Sequence, residues 1–402
     1  MSFLDVEATF PSPINYCFMK LLLLFISLFL ATFFIHCQKN SLPTTLEEMV
    51  EEVEEEMEAQ HISGLSFILT KGNKIIAEKY LGQADRRLNK AVDANTKFLL
   101  ASISKTVTAT ALMQLYEQDS FDLDDSINDY LNFVVQAPNT TTPITFRMLL
   151  QHTAGIADGP ALDNEYFWGQ DSPNDLGTFL SQYFTPGTTN YNATANFTGE
   201  EPGAVHEYSN VGTALVGHLV EVISGVDFDI YCQNNLFQPL CMNASSWKLN
   251  GLDTSTIAQP YDFENGAYQA IGHYTFTDYP NGGLRSTTRD LARFMVAYQQ
   301  GGQFNGQSIL KASTIDLMQT EALVEQDMGI GLHWFTYDRG DRNLWGHDGG
   351  EQGTTTMMGF NKSTGIGIII LCNATDAELE ELTHQLYDFV ENSSIQGTAL
   401  GC

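Results

Sequence analysis

Three short stretches of this sequence contain residue types that together can transfer an acyl group. The first is Ser-Ile-Ser-Lys at residues 102–105, which places a hydroxyl and an amine three positions apart. On a helix, Ser102 and Lys105 would lie on the same face about one turn apart. A partly desolvated lysine has a lowered pKa and can then accept the serine proton. The predicted chemistry is attack of the Ser102 hydroxyl on a carbonyl carbon, with Lys105 as the base.

This spacing does not identify the nucleophile by itself, because Ser245 and Ser308 also precede a lysine by three positions. Ser245 belongs to a polar loop, and Ser308 to a connection rich in glycine and glutamine. Only Ser102 follows a strand-like run, residues 98–101, and opens a long helix with apolar periodicity. A helix N-terminus also favours developing negative charge. The local context therefore selects Ser102.

The second stretch is Tyr-Ser-Asn at residues 208–210. The phenol of Tyr208 can act as a base or proton relay, and the amide of Asn210 can orient a substrate. The same Tyr-x-Asn pattern occurs at residues 130–132, interpreted as the end of an acidic turn, and at residues 279–281, interpreted as a turn. Tyr208 and Asn210 are therefore the predicted functional pair.

The third stretch is Gly-His-Asp-Gly-Gly at residues 346–350, which has no second copy. It comes just before a C-terminal pair of strands, so it is expected on a sheet edge that lines the cleft. Gly349 and Gly350 would let a substrate carbonyl approach backbone amides. A metal pair or Ser-His-Asp triad at His347 is not favoured, because the chain lacks HExxH, HxHxD-like and GxSxG patterns.

In this order, the three stretches resemble the motifs of the serine β-lactamases and penicillin-binding proteins: Ser-x-x-Lys, Tyr/Ser-x-Asn and Lys/His-x-Gly. The likeness is greatest to the class C β-lactamase-like branch, which includes esterases and D-amino-acid peptidases. It runs from about residue 47 to residue 390, and residues 144–156 and 281–292 are similar to recurrent segments of that branch.

The resemblance implies roles for the residues that match these motifs. Ser102 would be the acylated nucleophile, Lys105 and Tyr208 the coupled base system, and Asn210 a substrate-binding amide. The backbone N–H groups of Ser102 and Gly350 would form the oxyanion hole. The implied activity needs neither a cofactor nor a metal, and its partner would be a small-molecule or peptide acyl substrate.

His347 departs from the lysine found in true β-lactamases of this type. A neutral imidazole lacks the fixed cation that would bind a substrate carboxylate. This favours an esterase or peptidase acting on an ester, amide or lactam carbonyl. The alternatives are a catalytically silent binding or scaffold protein, and a true β-lactamase or D-Ala-D-Ala carboxypeptidase.

Each of these residues also has a purely structural interpretation. Ser102 would then be a helix N-cap, and Lys105 an exposed helical residue. Tyr208 would be a half-buried core phenol, and Asn210 the N-cap of the following helix. His152 is interpreted as structural, packing against or hydrogen-bonding a turn near the cleft.

Elements at both ends of the chain predict an α+β fold of the β-lactamase/transpeptidase type. Strand-like residues 64–69 and 75–81 flank a hairpin signal, and residues 354–360 and 366–371 flank another. One antiparallel sheet built from both chain ends, with flanking helices such as residues 377–390, is therefore expected.

The middle of the chain is expected to form a mostly helical insertion, with the active site between it and the sheet. Its predicted helices span residues 106–117, 146–151, 212–224 and 288–299. The predicted division is a leader at residues 1–40, a sheet part at residues 41–95 and 291–402, and a helical part at residues 96–290.

Composition limits the classes of partner. With 402 residues and 43% hydrophobic content, the chain can bury a sizeable core. Its formal net charge of −30 disfavours nucleic acid and anionic membrane surfaces. The densest acidic run, residues 47–58, keeps apolar residues at helical spacing and is interpreted as a solvated amphipathic helix.

The first forty residues predict export from the cytosol. An apolar run at residues 21–35 follows Lys20. It is short for a membrane span, so a cleaved signal peptide is favoured over an anchor through residues 20–36. Either route predicts a secreted or membrane-tethered protein.

Sequons and cysteines fit the same route. Cys232 and Cys241 are the most plausible disulfide, and Cys372 is equally well explained as a buried free thiol. The pairing cannot be deduced from the sequence. The seven Asn-x-Ser/Thr sequons are at Asn139, Asn192, Asn196, Asn243, Asn361, Asn373 and Asn392.

Overall fold

The computed structural model describes residues 43–325, 328–339 and 342–402. The predicted leader, with its apolar run, lies outside the described residues. Residues 45–402 form one compact unit. The predicted division of this unit into a sheet part and a helical part stays a prediction.

An antiparallel sheet built from both ends of the chain is the central element. Strand β1 (Gly64–Lys71) pairs with β2 (Lys74–Asp85) on one side and with β17 (Ile366–Cys372) on the other. Next to β17 lie β16 (Thr354–Phe360) and then β15 (Arg342–Glu351). This confirms the predicted fold class, and both predicted hairpins connect paired strands.

Further strands extend the sheet or form small two-stranded pairs. The remaining strands are β3 (Lys90–Ala91), β4 (Phe98–Leu99), β5 (Tyr166–Trp168), β6 (Tyr261–Glu264), β7 (Ala267–Ala270), β8 (Tyr274–Phe276), β9 (Arg285–Ser286), β10 (Gln303–Phe304), β11 (Gln307–Ser308), β12 (Leu323–Glu325), β13 (Met328–Ile330), β14 (Phe335–Arg339) and β18 (Thr398–Ala399). Among the described residues the main path runs β12-β13-β14-β15-β16-β17-β1-β2-β18, with β3 pairing to β2.

Nine α-helices lie within the described residues, and the four predicted in the middle of the chain are present with ends shifted by at most two residues. The helices are α1 (Leu46–Ala59), α2 (Ser104–Tyr116), α3 (Phe146–Leu150), α4 (Leu176–Phe184), α5 (Asn210–Ser224), α6 (Phe228–Cys232), α7 (Thr288–Gln299), α8 (Ala312–Met318) and α9 (Glu380–Asn392).

Helices cover both faces of the sheet, so every residue of β1 before Lys71 is buried. Leu65, Phe67 and Leu69 point to one face, where they pack in a core with α1 and α9. Ile68 points to the opposite face and belongs to the larger core formed with α2, α5 and α7. The sheet therefore separates two hydrophobic cores.

The acidic run forms the amphipathic helix that its spacing predicts. Thr45 and Glu48 form a capping box at the N-terminus of α1. Met49, Val53 and Met57 are buried against the sheet, and the acidic residues lie around the remaining surface. The charge is thus carried on the outside of this helix.

No single described helix is long and apolar enough to cross a membrane. Helix α5 and the segment Phe228–Phe237 pass that length and hydropathy test only when they are taken together, and they meet at 78°.

The predicted Cys232–Cys241 disulfide is wrong, because Cys241 is bonded to Cys402. Cys232 is fully buried in the larger core at the end of α6, and a π-helical turn, Gln233–Phe237, follows it. Cys241 emerges beyond that turn, where the C-terminal segment reaches it. Cys372 is the buried free thiol that the apolar run suggested.

Three of the seven sequon asparagines are buried, which makes them unsuitable as glycan sites. Asn196 and Asn373 are 0% and 1% exposed, and their side-chain amides donate to main-chain carbonyls. Asn361 is 7% exposed and its side chain accepts several hydrogen bonds within the β16–β17 turn. A glycan on any of them would require local unfolding.

Candidate active site

Ser102 lies where β4 leads into α2 through a short 3₁₀ turn, Ala101–Ile103. Ala101, directly before the serine, has a φ of 47°, a left-handed conformation that costs free energy for a residue with a Cβ. Neither the 3₁₀ turn nor α2 has a side-chain N-cap. The helix-cap interpretation of Ser102 is therefore wrong, and its hydroxyl is available for other contacts.

Lys105 is fully buried, so its interpretation as an exposed helical residue is also wrong. Its Nζ lies 3.0 Å from Ser102 Oγ, 2.7 Å from Asn210 Oδ1 and 2.8 Å from the main-chain oxygen of Asn281. Burial lowers the pKa of Lys105 to about 7. A neutral amine would donate to the two carbonyl oxygens and direct its lone pair at Ser102.

The N-terminus of α5 presents Tyr208 and Asn210 to this lysine. Ser209, not Asn210, is the N-cap residue, and its side chain accepts from the N–H of Gly212. Asn210 occupies the first helical position, which leaves its side chain free to bind Lys105. The Asn210 cap interpretation is therefore wrong.

Asp158 holds this N-terminus in place. Its carboxylate accepts hydrogen bonds from Ser209 Oγ at 3.1 Å and from the N–H groups of Asn210 and Val211 at 2.9 and 3.0 Å. A carboxylate here also complements the helix dipole. No motif around Asp158 revealed this contact, because it joins segments about fifty residues apart.

The Tyr208 phenol lies on the other side of Lys105, whose Nζ is 4.8 Å from the centre of the ring. Burial raises the pKa of Tyr208 well above its usual value, although a hydrogen bond with Ser102 opposes this effect. The side chain is therefore a neutral phenol at pH 7. This state fits a proton relay better than a free base.

His152 packs behind Tyr208, as its structural interpretation predicts. The ring centres of the two residues are 4.6 Å apart, and His152 Nδ1 accepts a hydrogen bond of 3.2 Å from the N–H of Ser209. His152 also stacks on His333 with a ring separation of 4.6 Å. It supports the turn that carries Tyr208.

The glycine-rich stretch forms the end of β15, next to Ser102. Strand β14 pairs with β15 only as far as Gly346, so the following residues have an edge that β14 does not cover. A Cβ atom on Gly349 would lie 2.5 Å from the Leu100 oxygen and 3.0 Å from the Ser102 nitrogen. Glycine is therefore required for this close approach.

The main chain of this strand end can supply an oxyanion donor. The N–H of Asp348 points away from β16, because it donates to the Tyr337 hydroxyl at 2.9 Å. Successive N–H groups of a strand point to opposite edges, so the N–H of Gly350 shares the direction of Asp348. This direction agrees with the predicted oxyanion hole of Ser102 and Gly350, whose role stays a prediction.

His347 is buried and neutral. Its Nδ1 lies 2.6 Å from the main-chain oxygen of Asp348, which can only accept, so Nδ1 carries the proton. The Nε2 atom then presents a lone pair and has no hydrogen-bond partner among the described residues. Burial lowers the pKa of His347 to about 4. A group in this state repels a carboxylate rather than binding it.

The competing motif copies do not assemble into a site. Ser245 Oγ contacts Ser286 Oγ at 2.8 Å and Asp290 Oδ2 at 3.2 Å, while Lys248 Nζ lies 4.5 Å from the centre of the Tyr279 ring. Residues 279–281 form a turn, as interpreted, but the main-chain oxygen of Asn281 binds Lys105. Side-chain patterns cannot reveal a main-chain ligand of this kind.

Two cavities flank the Ser102 region. One, of about 300 Å³, is largely apolar and is lined by Ser102, His206, Tyr208, Met328, Phe335, Tyr337, His347, Asp348, Gly349 and Gly350. The other, of about 430 Å³, is acidic and is lined by Asp158, Gly159, Pro160, Leu162, Asp163, Tyr166, Asn210, Phe276, Asp278, Asn281 and Glu351. Of the seven predicted site residues, Lys105 is buried behind Ser102 and the other six line one of these two cavities.

Comparison with known proteins is consistent with this geometry. The profile of the Beta-lactamase family matches residues 49–390. The chain belongs to this family. The predicted family resemblance is therefore confirmed.

Two relatives found by sequence comparison share only 22% and 26% identity with this chain. Protein flp from Staphylococcus aureus (strain MRSA252) is 22% identical over 347 residues, covering 85% of this chain and 65% of that protein. The chain thus spans less than two thirds of the length of that relative. Penicillin-binding protein 4 from Amycolatopsis lactamdurans is 26% identical over 306 residues, covering 73% of this chain and 76% of that protein.

Solved structures of the family share the fold. An octameric penicillin-binding protein homologue from Pyrococcus abyssi has a TM-score of 0.71 and 21% identity, covering 87% of this chain and 78% of that chain. A β-lactamase/D-alanine carboxypeptidase from Pseudomonas syringae has a TM-score of 0.67 and 20% identity, covering 85% of this chain and 97% of that chain.

Proposed function

We propose that this protein is a serine hydrolase that forms an acyl-enzyme on Ser102 and acts as an esterase or peptidase. The observation that carries the proposal is the environment of Lys105. Its Nζ has two fixed carbonyl acceptors and one hydroxyl neighbour, Ser102 Oγ at 3.0 Å. A neutral amine in that position is oriented to take the serine proton.

The reaction then follows from the neighbouring groups. Ser102 Oγ attacks the substrate carbonyl carbon while its proton passes to Lys105. The N–H groups of Ser102 and Gly350 stabilise the oxyanion. The proton returns to the leaving group through the Tyr208 hydroxyl, the acyl-enzyme forms, and a water molecule activated by the same groups then releases the acid.

The substrate class follows from His347. A neutral imidazole at this position lacks the cation that would bind a carboxylate beside the leaving group, and the adjoining cavity is largely apolar. Neutral or apolar leaving groups are therefore favoured. Penicillins and D-Ala-D-Ala peptides, which carry a carboxylate there, would be poor substrates.

We also propose that the protein works in an oxidising compartment, either secreted or tethered to a membrane. The Cys241–Cys402 disulfide supports this location, because such bonds persist mainly outside the cytosol.

A fluorophosphonate probe followed by peptide mapping tests the assignment of the nucleophile. The expected label is on Ser102, and Ser102→Ala should lose both labelling and hydrolysis of p-nitrophenyl esters. Ser308→Ala is a matched control, because Ser308 also precedes a lysine by three positions and is exposed. Labelling of another residue, or a folded wild-type protein with no turnover across esters, amides and lactams, would contradict the proposal and favour a silent scaffold.

A further inference from the structure

The acidic cavity beside Asn210 is lined by several carboxylates, and only some of them are well supplied with hydrogen-bond donors. Four carboxylates line it, from Asp158, Asp163, Asp278 and Glu351, and no lysine or arginine does. Asp158 is occupied by the N-terminus of α5. Glu351 accepts from the Tyr166 hydroxyl at 2.8 Å. The other two carboxylates are less satisfied.

Asp278 is the group that points to a ligand. Its side chain is only 6% exposed, yet it lines the cavity. One carboxylate oxygen accepts from Asn281 Nδ2 at 2.7 Å, and no lysine or arginine lines the cavity to pair with this buried acid. Burial raises the pKa of Asp278 to about 7, with the charges of Asp158 and Glu351 adding to the effect. A bound cation would relieve this unfavourable burial.

The position of this cavity relative to the reacting groups determines which part of the substrate enters it. The leaving group must receive a proton from Tyr208, so it belongs in the apolar cavity that Tyr208 and His347 line. The acidic cavity lies beyond Asn210 and Asn281, the two residues that bind Lys105. The acyl portion of the substrate therefore extends into it.

We propose that the acidic cavity binds a cationic group, a protonated or quaternary amine, on the acyl portion of the substrate. Asp278 forms the inner wall of this subsite, and the exposed carboxylate of Asp163 lies at its mouth. The inference rests on the proposed function and specifies its substrate class: esters or amides of amine-bearing acids. A cavity of about 430 Å³ has room for such a group.

Two p-nitrophenyl esters that differ by one charge test the proposal. The cationic ester carries 4-(trimethylammonio)butanoate, and the neutral ester carries the isosteric 5,5-dimethylhexanoate. For the wild-type protein we expect kcat/KM for the cationic ester to exceed that for the neutral ester by about tenfold or more. A ratio near one, or below one, would overturn the proposal.

Variants locate the effect. Asp163→Asn and Asp278→Asn should each lower the ratio of the two kcat/KM values several-fold. Asp119→Asn is the matched control, since Asp119 is exposed just beyond the far end of α2, roughly 20 Å from Ser102, and should keep the wild-type ratio. A ratio that is unchanged in Asp163→Asn and Asp278→Asn contradicts the assignment.

Labelling of Ser102 separates this inference from the proposed function. Each variant is first treated with the fluorophosphonate probe, which also reports whether the site is folded. Normal labelling without any preference for the cationic ester overturns the subsite and leaves the hydrolase intact. Absence of Ser102 labelling in the wild-type protein overturns both proposals.

Discussion

A single buried amine connects the parts of the candidate site. Lys105 reaches α5 through Asn210, the turn before β9 through Asn281, and the nucleophile through Ser102. Each contact is between 2.7 and 3.0 Å, and the lysine is fully buried. Desolvation is the largest influence on its pKa. The chemistry of this side chain is therefore determined by the three segments that enclose it.

The first prediction concerns pH. Because burial lowers the pKa of Lys105 to about 7, kcat/KM should rise as pH increases through that value and the amine loses its proton. Lys105→Arg, which stays protonated, should lose about a thousandfold in kcat/KM. The measurement is a pH–rate profile with a neutral ester. An activity that stays constant from pH 5 to pH 9, or an active Lys105→Arg variant, would exclude Lys105 as the base.

The second prediction concerns His347. Replacing it by lysine introduces a cation beside the leaving group, so kcat/KM for a penicillin relative to a neutral ester should increase about tenfold. His347→Gln, which adds no charge, is the control and should leave that ratio low. For each variant, kcat/KM for the penicillin and for the neutral ester is measured on the same protein preparation. Equal ratios in the two variants would show that the lack of a cation at residue 347 is not the reason why carboxylate-bearing substrates react poorly.

Among single residues, the ones that carry recognisable chemistry were predicted, and those that act through tertiary contacts were not. The motifs identified Ser102, Lys105 and Tyr208 because their residue types and spacing are local. Asp278 and the main-chain oxygen of Asn281 acquire their importance only when the turn at residues 279–281 packs against α2 and α5. No sequence pattern encodes that approach.

At the scale of elements, the N-terminus of helix α5 matters because Asn210 in its first turn and Tyr208, just before its N-cap, both lie beside the lysine. Asp158 satisfies this turn through three hydrogen bonds from a loop distant in sequence. We therefore expect Asp158 both to stabilise helix α5 and to position Tyr208 and Asn210. Its loss should affect the two properties together.

Asp158→Ala tests this coupling. The free energy of unfolding should fall by about 1–2 kcal/mol, and kcat/KM by roughly tenfold or more as the α5 terminus shifts. Asp175→Ala is the matched control, because Asp175 caps α4 by accepting from the N–H of Thr178 at 2.8 Å. It should lose similar stability and keep its kinetics. Unaltered kinetics in Asp158→Ala would restrict the residue to a stabilising role.

Elements with strong local signals were predicted at the correct places, with ends that differ by a residue or two except that β2 continues to Asp85, beyond its predicted end at residue 81. The strands β1, β2, β16 and β17 have apolar runs and turn residues between them, and α7 matches its prediction at both ends. Strands β12 to β14 were not predicted. Two of them have only three residues, and short strands are held by their neighbours rather than by their own periodicity.

At the scale of the whole molecule, the Cys241–Cys402 bond joins the C-terminal segment to the middle of the chain. It closes a separation of 161 residues. Nearby, Arg293 donates to the main-chain oxygens of Cys241 and Gly401 at 3.0 and 2.9 Å. The prediction from sequence favoured the short Cys232–Cys241 loop, since proximity along the chain carries no information about burial.

Removing this bond should destabilise the protein. Long loops gain the most from closure in the chain-entropy description, and Cys241→Ser should lower the free energy of unfolding by about 2–4 kcal/mol. Denaturant unfolding with and without dithiothreitol measures the effect. The reductant should lower the stability of the wild-type protein and leave that of Cys241→Ser unchanged. If the wild-type protein and Cys241→Ser are equally stable in the absence of dithiothreitol, the bond contributes nothing to the stability of the fold.

The pairing of β1 with both β2 and β17 has a consequence for the order of folding. The β1–β2 hairpin can form early, but the other edge of β1 stays unpaired until β17, roughly 300 residues later, has been synthesised. Because Leu65, Phe67 and Leu69 form an apolar face on β1, a nascent or truncated chain exposes that face and an unpaired strand edge throughout the interval, which favours aggregation. The yield of folded protein should therefore depend on how that strand is shielded until β17 has been synthesised, in about the last tenth of the chain.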